Sequence, residues 1–479
     1  MKGFVTLVGA GIGNAGLMTI SALRALQSAD CVVYDKLLGE GVMELIPESA
    51  EKINAGKQSA NHTIPQDGIN KILIEKALEG KNVVRLKGGD SYLFGRGGEE
   101  AEELCRAGIS FRVIPGITSA IAAPAFAGIP VTHRDCASSL HIFTGHGRDD
   151  RPPQIDFDAC VNAGGTLVFL MGVKNLPLIV HGLINSGMDK QTPAAVVQSG
   201  GTPFQKKAVS TLENICAAAE GLKSPSVIVV GAVCAYSDKL DWFSNLPLKG
   251  KSIVITRPKQ RAAQLVYRLR ELGASVTLYP CIKTEKIAFD INEILEQLHN
   301  YNTVAFTSAE GVRAVFDLLY KSGCDARVFA KNKIAAVGDK TADELKSYGI
   351  IVDFVPKEHN GRALAQGLVQ NDSVLVLRAK NGSPELTLTL EQRGINFKDM
   401  AVYETKPCEN DIELPENIDY VVFGSPSQVR CFERTEGYTA VCIGHTTAAQ
   451  AQKVDLDCII AENTDDEGII EAILRKEGK

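Results

Sequence analysis

Short apolar runs alternate with amphipathic segments along the chain. Apolar runs rich in β-branched residues predict strands at FVTLVGAG (4–11), DCVVYD (30–35), KNVVRLKGG (81–89), SFRVIPG (110–116), TLVFLMG (166–172), PAAVVQSG (193–200) and PSVIVVGAV (225–233). Apolar residues at helical spacing predict helices at LMTISALRALQSA (17–29), PQDGINKILIEKALEG (65–80) and EEAEELCRAG (99–108). The alternation predicts an α/β fold with mostly parallel sheets.

A polar stretch, SDKLDWFSNLPLKGKS (237–252), interrupts the alternation. It contains Pro247 and Gly250 and is followed at once by a new predicted strand, SIVITRP. We therefore predict two domains, residues 1–246 and 250–479.

The second predicted domain contains an internal repeat. VAFTSAEGVRAVF (304–316) resembles YVVFGSPSQVRCF (420–432), and IAAVGDKTADEL (334–345) resembles VCIGHTTAAQAQ (441–452). The segments starting SIVITRP and SVLVLRA also match in outline and occur in the same order. Because the order is shared, we expect two similar lobes with a ligand cleft between them, beyond the carboxyl ends of the strands.

Composition narrows the function classes. Hydrophobic residues make up 45% of the 479 residues, charged residues 23%, and the net charge is -6. These values are typical of soluble globular proteins and do not suggest nucleic-acid binding. The 12 cysteines form no CxxC pair, and His141 and His146 have no third ligand at metal spacing, so we expect no metal site. We also expect no signal peptide, no membrane span and a cytoplasmic location.

Three glycine loops carry the functional signal. Gly11 to Gly16 fit GxGxxG, and Asp35 ends the next predicted strand, a pattern typical of NAD(P)-dependent oxidoreductases. However, a second strand ends in Gly88-Gly89-Asp90, and a third is followed by Pro115-Gly116. Since glycine has no Cβ, such loops let a flat nucleoside lie against main chain. The oxidoreductase stays as the alternative.

Five ordered motifs resemble the uroporphyrinogen-III C-methyltransferases of the tetrapyrrole methylase family. They are VGAGIGNAGLMT (8–19), ADCVVYDKLL (29–38), VVRLKGGDSYLFGRGGEE (83–100), VIPGITSAIAAPAFAGIPVTHR (113–134) and TGH (144–146). The resemblance covers roughly residues 1–245. It implies a two-lobed α/β fold that binds S-adenosylmethionine, and methylation of uroporphyrinogen III at C2 and C7 to precorrin-2. That product would serve cobalamin or sirohaem synthesis.

The resemblance also implies site residues. The S-adenosylmethionine contacts would be Ile12, Gly88, Gly89, Asp90, Leu93, Thr118, Ser119, Met171 and Gly200. Ile12 and Ser91 replace family prolines, and Asn14 replaces an aspartate, which changes loop stiffness rather than a reacting group. Asp35 would be the proton acceptor and Lys57 the proton donor. Because the substrate carries many carboxylates, we predict that Arg85, Lys87 and Arg134 bind them.

The second domain resembles the uroporphyrinogen-III synthases over about 250–479. TRP (256–258), FTSAEGV (306–312), VGDKTA (337–342), VYET (402–405) and FGSPSQV (423–429) carry the likeness. It implies a bilobal parallel α/β fold whose lobes are swapped in sequence, one combining the first βα unit with the C-terminal part. The implied reaction is cyclisation of hydroxymethylbilane to uroporphyrinogen III.

In this reaction Tyr403 would donate a proton to the leaving hydroxyl group. Substrate carboxylates would bind Thr307, Ser308, Ser425 and Thr446 at turns after strands. The alternative for this domain is a non-enzymatic bilobal ligand sensor. The first resemblance further implies a homodimer through the methyltransferase domain.

Overall fold

The computed structural model describes residues 3–56, 64–147, 154–287, 291–410 and 412–479, except the side chains of Gln260 and Lys286. The chain divides into two compact units. The first is Met1–Ile253 with Tyr267–Val276 and Leu474–Lys479, and the second is Val254–Val266 with Thr277–Ile473. The predicted boundary at 246–250 stays a prediction.

The first sheet is five-stranded, with the order β3-β2-β4-β1-β5, and all its pairs are parallel. Its strands are β1 (Phe4–Gly9), β2 (Cys31–Tyr34), β3 (Glu51–Asn54), β4 (Asn82–Lys87) and β5 (Ser110–Ile114). The helices of this region are α1 (Ile20–Gln27), α2 (Gln66–Leu78), α3 (Gly97–Arg106) and α4 (Ser119–Phe126).

Helices cover both faces of this sheet, so the strand residues alternate between two cores. Val32 and Val84 belong to the cluster that includes Leu26 of α1. Val33 and Val83 belong to the opposite cluster, with Leu73 of α2 and Leu104 of α3. A side chain on either face of β4 is therefore buried.

The second sheet has the order β6-β7-β10-β8-β9, and only the β6–β7 pair is parallel. Its strands are β6 (Leu140–Thr144), β7 (Thr166–Leu170), β8 (Pro193–Gln198), β9 (Lys206–Thr211) and β10 (Ser226–Val230). Its helices are α5 (Phe157–Ala163), α6 (Leu176–Asn185) and α7 (Ile215–Ala218). The expectation of mostly parallel sheets is thus wrong for this sheet, which reverses direction at three of its four pairings.

The remaining chain forms two more five-stranded sheets, ordered β12-β11-β18-β19-β20 and β13-β17-β16-β14-β15. The strands are β11 (Ser252–Ile255), β12 (Ser275–Leu278), β13 (Ile282–Lys286), β14 (Thr303–Phe306), β15 (Lys333–Ala336), β16 (Val374–Ala379), β17 (Phe397–Pro407), β18 (Tyr420–Phe423), β19 (Thr439–Cys442) and β20 (Cys458–Ile460). The helices are α8 (Lys259–Glu271), α9 (Ile291–Asn300), α10 (Ala309–Lys321), α11 (Asp339–Ser347), α12 (Gly361–Gly367), α13 (Glu385–Gln392), α14 (Pro426–Cys431), α15 (His445–Gln452) and α16 (Asp466–Lys476).

The strand orders confirm the predicted bilobal fold with swapped lobes. The third sheet joins the first βα unit to the C-terminal strands, whereas the fourth sheet takes the middle of the domain. The repeated segments occupy corresponding places, because β11-β18-β19 are neighbours in one sheet and β16-β14-β15 in the other. Within the described residues, no helix combines the length and the apolar character that a membrane span requires.

Candidate active sites

Three loops at the carboxyl end of the first sheet meet through glycine main chain. A Cβ atom added to Gly116 would lie 2.1 Å from the carbonyl oxygen of Gly89, and one added to Gly9 would lie 2.5 Å from the Gly116 nitrogen. Gly11 and Gly89 exchange two main-chain hydrogen bonds of 2.7 and 3.1 Å. The loops after β1, β4 and β5 therefore pack too closely for side chains at Gly9 and Gly116.

Gly89 differs from these two glycines. Its φ of +68° favours glycine, yet the nearest atoms to an added Cβ are main-chain atoms of Thr118 and Ser119 at 4.0 Å. A side chain here would thus enter open space beside the first turn of α4. Thr118 caps that helix, accepting a hydrogen bond at Oγ1 from the Ala120 nitrogen (3.3 Å).

The carboxylate of Asp90 ties the β4 loop to the β5 loop. Its Oδ1 accepts hydrogen bonds from the nitrogens of Tyr92 (2.8 Å) and Leu93 (3.0 Å), and its Oδ2 accepts one from Gly116 (2.9 Å). Asp90 was predicted as a cofactor contact. In the structure its carboxylate fixes the main chain around Gly89.

The turn after β8 approaches the first of these loops. A Cβ added to Gly13 would lie 2.5 Å from the Gly201 carbonyl oxygen, and one added to Gly200 would lie 2.4 Å from the Ala123 Cβ. Ile12 and Leu93 pack on a shared apolar cluster with residues of α4, β7 and β8. The described contacts thus bring together the predicted cofactor residues of the β1, β4, β5 and β8 loops.

Met171 follows β7 with a φ of 57° and a half-exposed side chain. A non-glycine residue in the left-handed region is strained and often marks a functional position. Its apolar side chain suits a nucleoside site. Hydrogen bonds or ring contacts between Met171 and the other predicted cofactor residues are absent from the described part of the chain.

A buried ion network lies beneath Asp35. Arg85 donates from Nη2 to Asp35 Oδ1 (2.7 Å) and from Nε to Glu100 Oε1 (3.0 Å). The same Glu100 oxygen accepts from Lys87 Nζ (2.9 Å) and Gln66 Nε2 (3.1 Å). Burial lowers the pKa of Lys87, the charge on Arg85 lowers it further, and Glu100 opposes both effects.

This placement corrects the prediction that Arg85 and Lys87 bind substrate carboxylates directly. Both side chains are almost completely buried and have carboxylate partners inside the protein. The physical reason is that residues 83, 85 and 87 share one face of β4, and α2 and α3 cover that face. The third predicted cation, Arg134, is exposed.

Glu100 was not predicted, although the sequence contains a signal for it. The buried residues of α3 are Gly97, Glu100, Ala101 and Leu104, so an acid occupies the apolar stripe of an amphipathic helix. A buried carboxylate needs cationic partners. The predicted proton donor, Lys57, lies outside the described residues.

In the second domain, two predicted residues are in contact. The hydroxyl groups of Tyr403 and Ser308 are 2.9 Å apart. Ser308 also caps α10, since its Oγ accepts a hydrogen bond from the Gly311 nitrogen (3.1 Å). The Tyr403 side chain is buried, with its hydroxyl held at the carboxyl end of β14.

Another polar group follows the adjacent strands β11 and β18. Arg257, of which 9% is exposed, pairs through Nη1 with Asp466 (2.5 Å). Its Nη2 and the Oγ of Ser425 are buried, and neither has a hydrogen-bond partner in the described structure. Gly424 leaves room for the guanidinium, because an added Cβ would lie 3.0 Å from Arg257 Nε. Unpartnered buried donors of this kind suit a carboxylate ligand.

Two arginines that the sequence did not single out lie near this site. Arg261 of α8 and Arg313 of α10 both pair with Glu310, and Arg313 pairs through two nitrogens with Glu344 (3.0 and 2.6 Å). Thr446 lies on the exposed side of the first turn of α15, and Thr307 precedes the α10 cap. Groups of three or more metal-ligating side chains are absent from the described residues.

Comparison with known proteins identifies two families. Residues 5–216 match the family described as Tetrapyrrole (Corrin/Porphyrin) Methylases, and residues 263–471 match the family described as Uroporphyrinogen-III synthase HemD. A Ruminiclostridium josui protein named Porphyrin biosynthesis protein HemD is 43% identical, with 98% of each chain covered.

Two further similar proteins have methyltransferase names. A Bacillus subtilis protein named Uroporphyrinogen-III C-methyltransferase is 37% identical over 75% of each chain. A crystal structure of Uroporphyrin-III C-methyl transferase from Thermus thermophilus, complexed with S-adenosyl homocysteine, is 36% identical and covers 49% of this chain and 99% of its own, with a TM-score of 0.43.

Proposed function

Because the chain belongs to the tetrapyrrole methylases in its N-terminal part and to the uroporphyrinogen-III synthases in its C-terminal part, we propose that it is a bifunctional enzyme that converts hydroxymethylbilane to precorrin-2. The second domain would cyclise hydroxymethylbilane to uroporphyrinogen III. The first domain would then methylate that product at C2 and C7. These two consecutive reactions would supply precorrin-2 for cobalamin or sirohaem synthesis.

The methyl donor is S-adenosylmethionine, which supplies a methyl group on a positively charged sulfur. The residues present fit it, since the open space beside Gly89, the α4 cap at Thr118 and the apolar Met171 side chain offer main-chain polar groups and an apolar surface. Asp90 would keep the Gly89 loop in the shape that binds the donor. Alignment of donor and acceptor could lower the barrier by about 7–11 kcal/mol in the most favourable case.

Asp35 would accept the proton that the pyrrole loses after methylation. Its Oδ1 is held by Arg85, and in the described structure its Oδ2 accepts no hydrogen bond. The side chain is about one-third exposed, which leaves it within reach of a substrate. The observation that carries this proposal is the carboxylate of Asp35 held by Arg85, at the strand end next to the glycine loops. Lys57 remains the proposed proton donor.

This assignment is tested by incubating the full-length protein with S-adenosylmethionine and uroporphyrinogen III. The products are resolved by mass spectrometry. We expect a dimethylated product from the wild type. The Asp35→Asn variant should turn over about 100-fold or more slowly, because a general base contributes factors of this size. Its affinity for S-adenosylhomocysteine should stay within about threefold, that is ~0.65 kcal/mol. An unchanged turnover rate would remove Asp35 from the mechanism.

In the synthase domain, Tyr403 would donate a hydrogen bond to the hydroxyl group that leaves as water, with Ser308 fixing its direction. The cation that then forms is stabilised within the substrate, so shape and carboxylate binding would govern ring closure. Arg257 and Ser425 would bind substrate carboxylates, since each has a polar atom without a partner in the described structure.

The synthase assay uses the full-length protein without S-adenosylmethionine. Uroporphyrinogen isomers I and III are separated after incubation with hydroxymethylbilane. We expect isomer III from the wild type and a partial loss of rate for Tyr403→Phe; isomer I alone from the wild type would refute the synthase proposal. The homodimer proposed from the family resemblance is tested separately by light scattering.

A further inference from the structure

Glu100 is a fully buried carboxylate that joins three elements of the first sheet region. Its Oε1 accepts hydrogen bonds from Arg85 and Lys87 of β4 and from Gln66 of α2. Its Oε2 is buried and has no partner within the described part of the chain. Concentrating all three donors on one oxygen fixes the direction of the carboxylate.

Arg85 connects Glu100 to Asp35 and has no freedom to turn. Its Nε binds Glu100, and its Nη1 lies 3.3 and 3.5 Å from the carbonyl oxygens of Val33 and Leu86. This arrangement leaves Nη2 facing Asp35 at 2.7 Å. The planar guanidinium transmits the position of Glu100 to Asp35, because all its nitrogens move together.

The charges in this network balance. Asp35 and Glu100 are paired with Arg85 and Lys87, and Arg96 adds a weaker cationic influence on Glu100 from the start of α3. The burial that lowers the pKa of Lys87 also strengthens the interactions among these charges, since less water screens them. The network thus has one acid near the proposed reaction and one acid deep in the core.

We propose that Glu100 is a positioning residue for methyl transfer, which holds Arg85, and through it the carboxylate of Asp35, in the orientation and basicity that proton transfer requires. The inference rests on the proposed function of Asp35 as the base. It does not require Glu100 to touch substrate or cofactor.

Replacing Glu100 with glutamine keeps its size and removes one negative charge. Arg85 and Lys87 then have Asp35 as their remaining acidic partner in the network, so Asp35 lies in a more positive environment and becomes a weaker base. We expect the acid limb of the pH–rate profile to move to lower pH. The plateau rate should fall about tenfold or more, because the base is both weaker and less well oriented.

The control is Glu99→Gln, which makes the same charge change one residue earlier, on the exposed side of α3, where Glu99 pairs with Arg96. We expect this variant to keep the acid limb of the wild-type pH–rate profile and the wild-type plateau rate. Both variants should bind S-adenosylhomocysteine like the wild type in calorimetry. A Glu100→Gln profile that matches Glu99→Gln in limb and plateau would overturn the proposal.

A second variant separates a catalytic effect from a folding defect. Such a defect could arise in Glu100→Gln, because Lys87 would remain buried beside a neutral amide. Removing both partners of a buried pair is often tolerated where removing one is not. The double variant Glu100→Gln/Lys87→Met restores the charge balance and should return the acid limb to the wild-type pH. Its plateau rate should stay low, because the neutral amide oxygen of glutamine holds Arg85 more weakly than the carboxylate of Glu100 does. A wild-type plateau in the double variant would contradict positioning.

Asp35→Asn, assayed in parallel, separates this inference from the proposed function. If Asp35→Asn keeps its full rate, the base assignment fails, and the inference fails with it. If Asp35→Asn is slow while Glu100→Gln matches the wild type, the inference alone fails.

Discussion

Changing Asp90 to asparagine tests whether a carboxylate shapes the cofactor loop. In the wild type the carboxylate accepts three main-chain hydrogen bonds, from Tyr92, Leu93 and Gly116. Asparagine can keep the two at Oδ1, but its amide group then faces the Gly116 nitrogen, and two donors cannot bond to each other. The link between the β4 and β5 loops is lost.

The expected magnitude follows from these three contacts. A hydrogen bond to a charged acceptor contributes about 1.5–3 kcal/mol, and one to a neutral acceptor about half as much. Losing one bond and weakening two, at a partly exposed site where water replaces some of the loss, should cost about 2–3 kcal/mol of stability. If cofactor binding must restore this loop, affinity falls about 10–100-fold, at ~1.4 kcal/mol for each factor of ten.

Calorimetry with S-adenosylhomocysteine and urea denaturation measure the two effects. Asp156→Asn is the matched control, because Asp156 caps α5 by accepting a hydrogen bond from the Ala159 nitrogen (2.9 Å). It should lose little stability, because asparagine and aspartate cap helices about equally well, and it should keep its cofactor affinity. Should Asp90→Asn lose stability but bind within threefold of the wild type, the loop would not need Asp90 to bind the cofactor.

Three other perturbations have distinct outcomes. Gly89→Ala should fold with a strain of about 1–2 kcal/mol at its positive φ, and it should lose cofactor affinity. Gly116→Ala should fail to fold, because its Cβ would lie 2.1 Å from a carbonyl oxygen. Thermal melts and calorimetry distinguish the two variants. Arg257→Met should raise the KM for hydroxymethylbilane about tenfold if a substrate carboxylate binds Nη2, and an unchanged KM would exclude that contact. Burial lowers the pKa of Lys249 from 10.5 to about 8. Between pH 8 and pH 10.5 the unfolded chain therefore binds more protons than the folded chain, so the free energy of unfolding should rise with pH. Urea denaturation should show this rise in the wild type and a smaller rise in Lys249→Met. Equal slopes in the two proteins would contradict the lowered pKa of Lys249.

Sequence pattern predicted the architecture well where elements are buried. The predicted strands of the first block correspond to β1, β2, β4, β5, β7, β8 and β10. The strands that the pattern missed there, β3, β6 and β9, all lie at sheet edges, where one side of a strand has no neighbour and the apolar signal is weaker. The repeat in the second domain was visible because β11-β18-β19 and β16-β14-β15 keep the same strand order, and because Ser308 and Ser425 follow β14 and β18 at the same distance.

The site is harder to predict, because strand geometry and not side-chain charge decides whether a cation faces the substrate or the core. Arg85 and Lys87 alternate with Val84 and Leu86, and in a parallel sheet covered on both faces neither set of positions reaches solvent. That rule alone would have placed both cations in the core. It would also have required a buried acid, and the apolar stripe of α3 offers Glu100. The partner itself depends on how α3 packs on the sheet, which one sequence does not specify.

The GxGxxG loop shows that a glycine motif can arise from packing within the protein as well as from ligand binding. Gly13 has a φ of +72° and would place a Cβ 2.5 Å from the Gly201 carbonyl oxygen, so this glycine is required by protein packing and not by the approach of a pyrophosphate. Asp35, which a dinucleotide fold would use for a ribose hydroxyl, is instead held by Arg85. The oxidoreductase alternative rested on these two features. The glycine that does leave space for a ligand is Gly89, one strand away, and a side chain added there reports directly on whether that space is used.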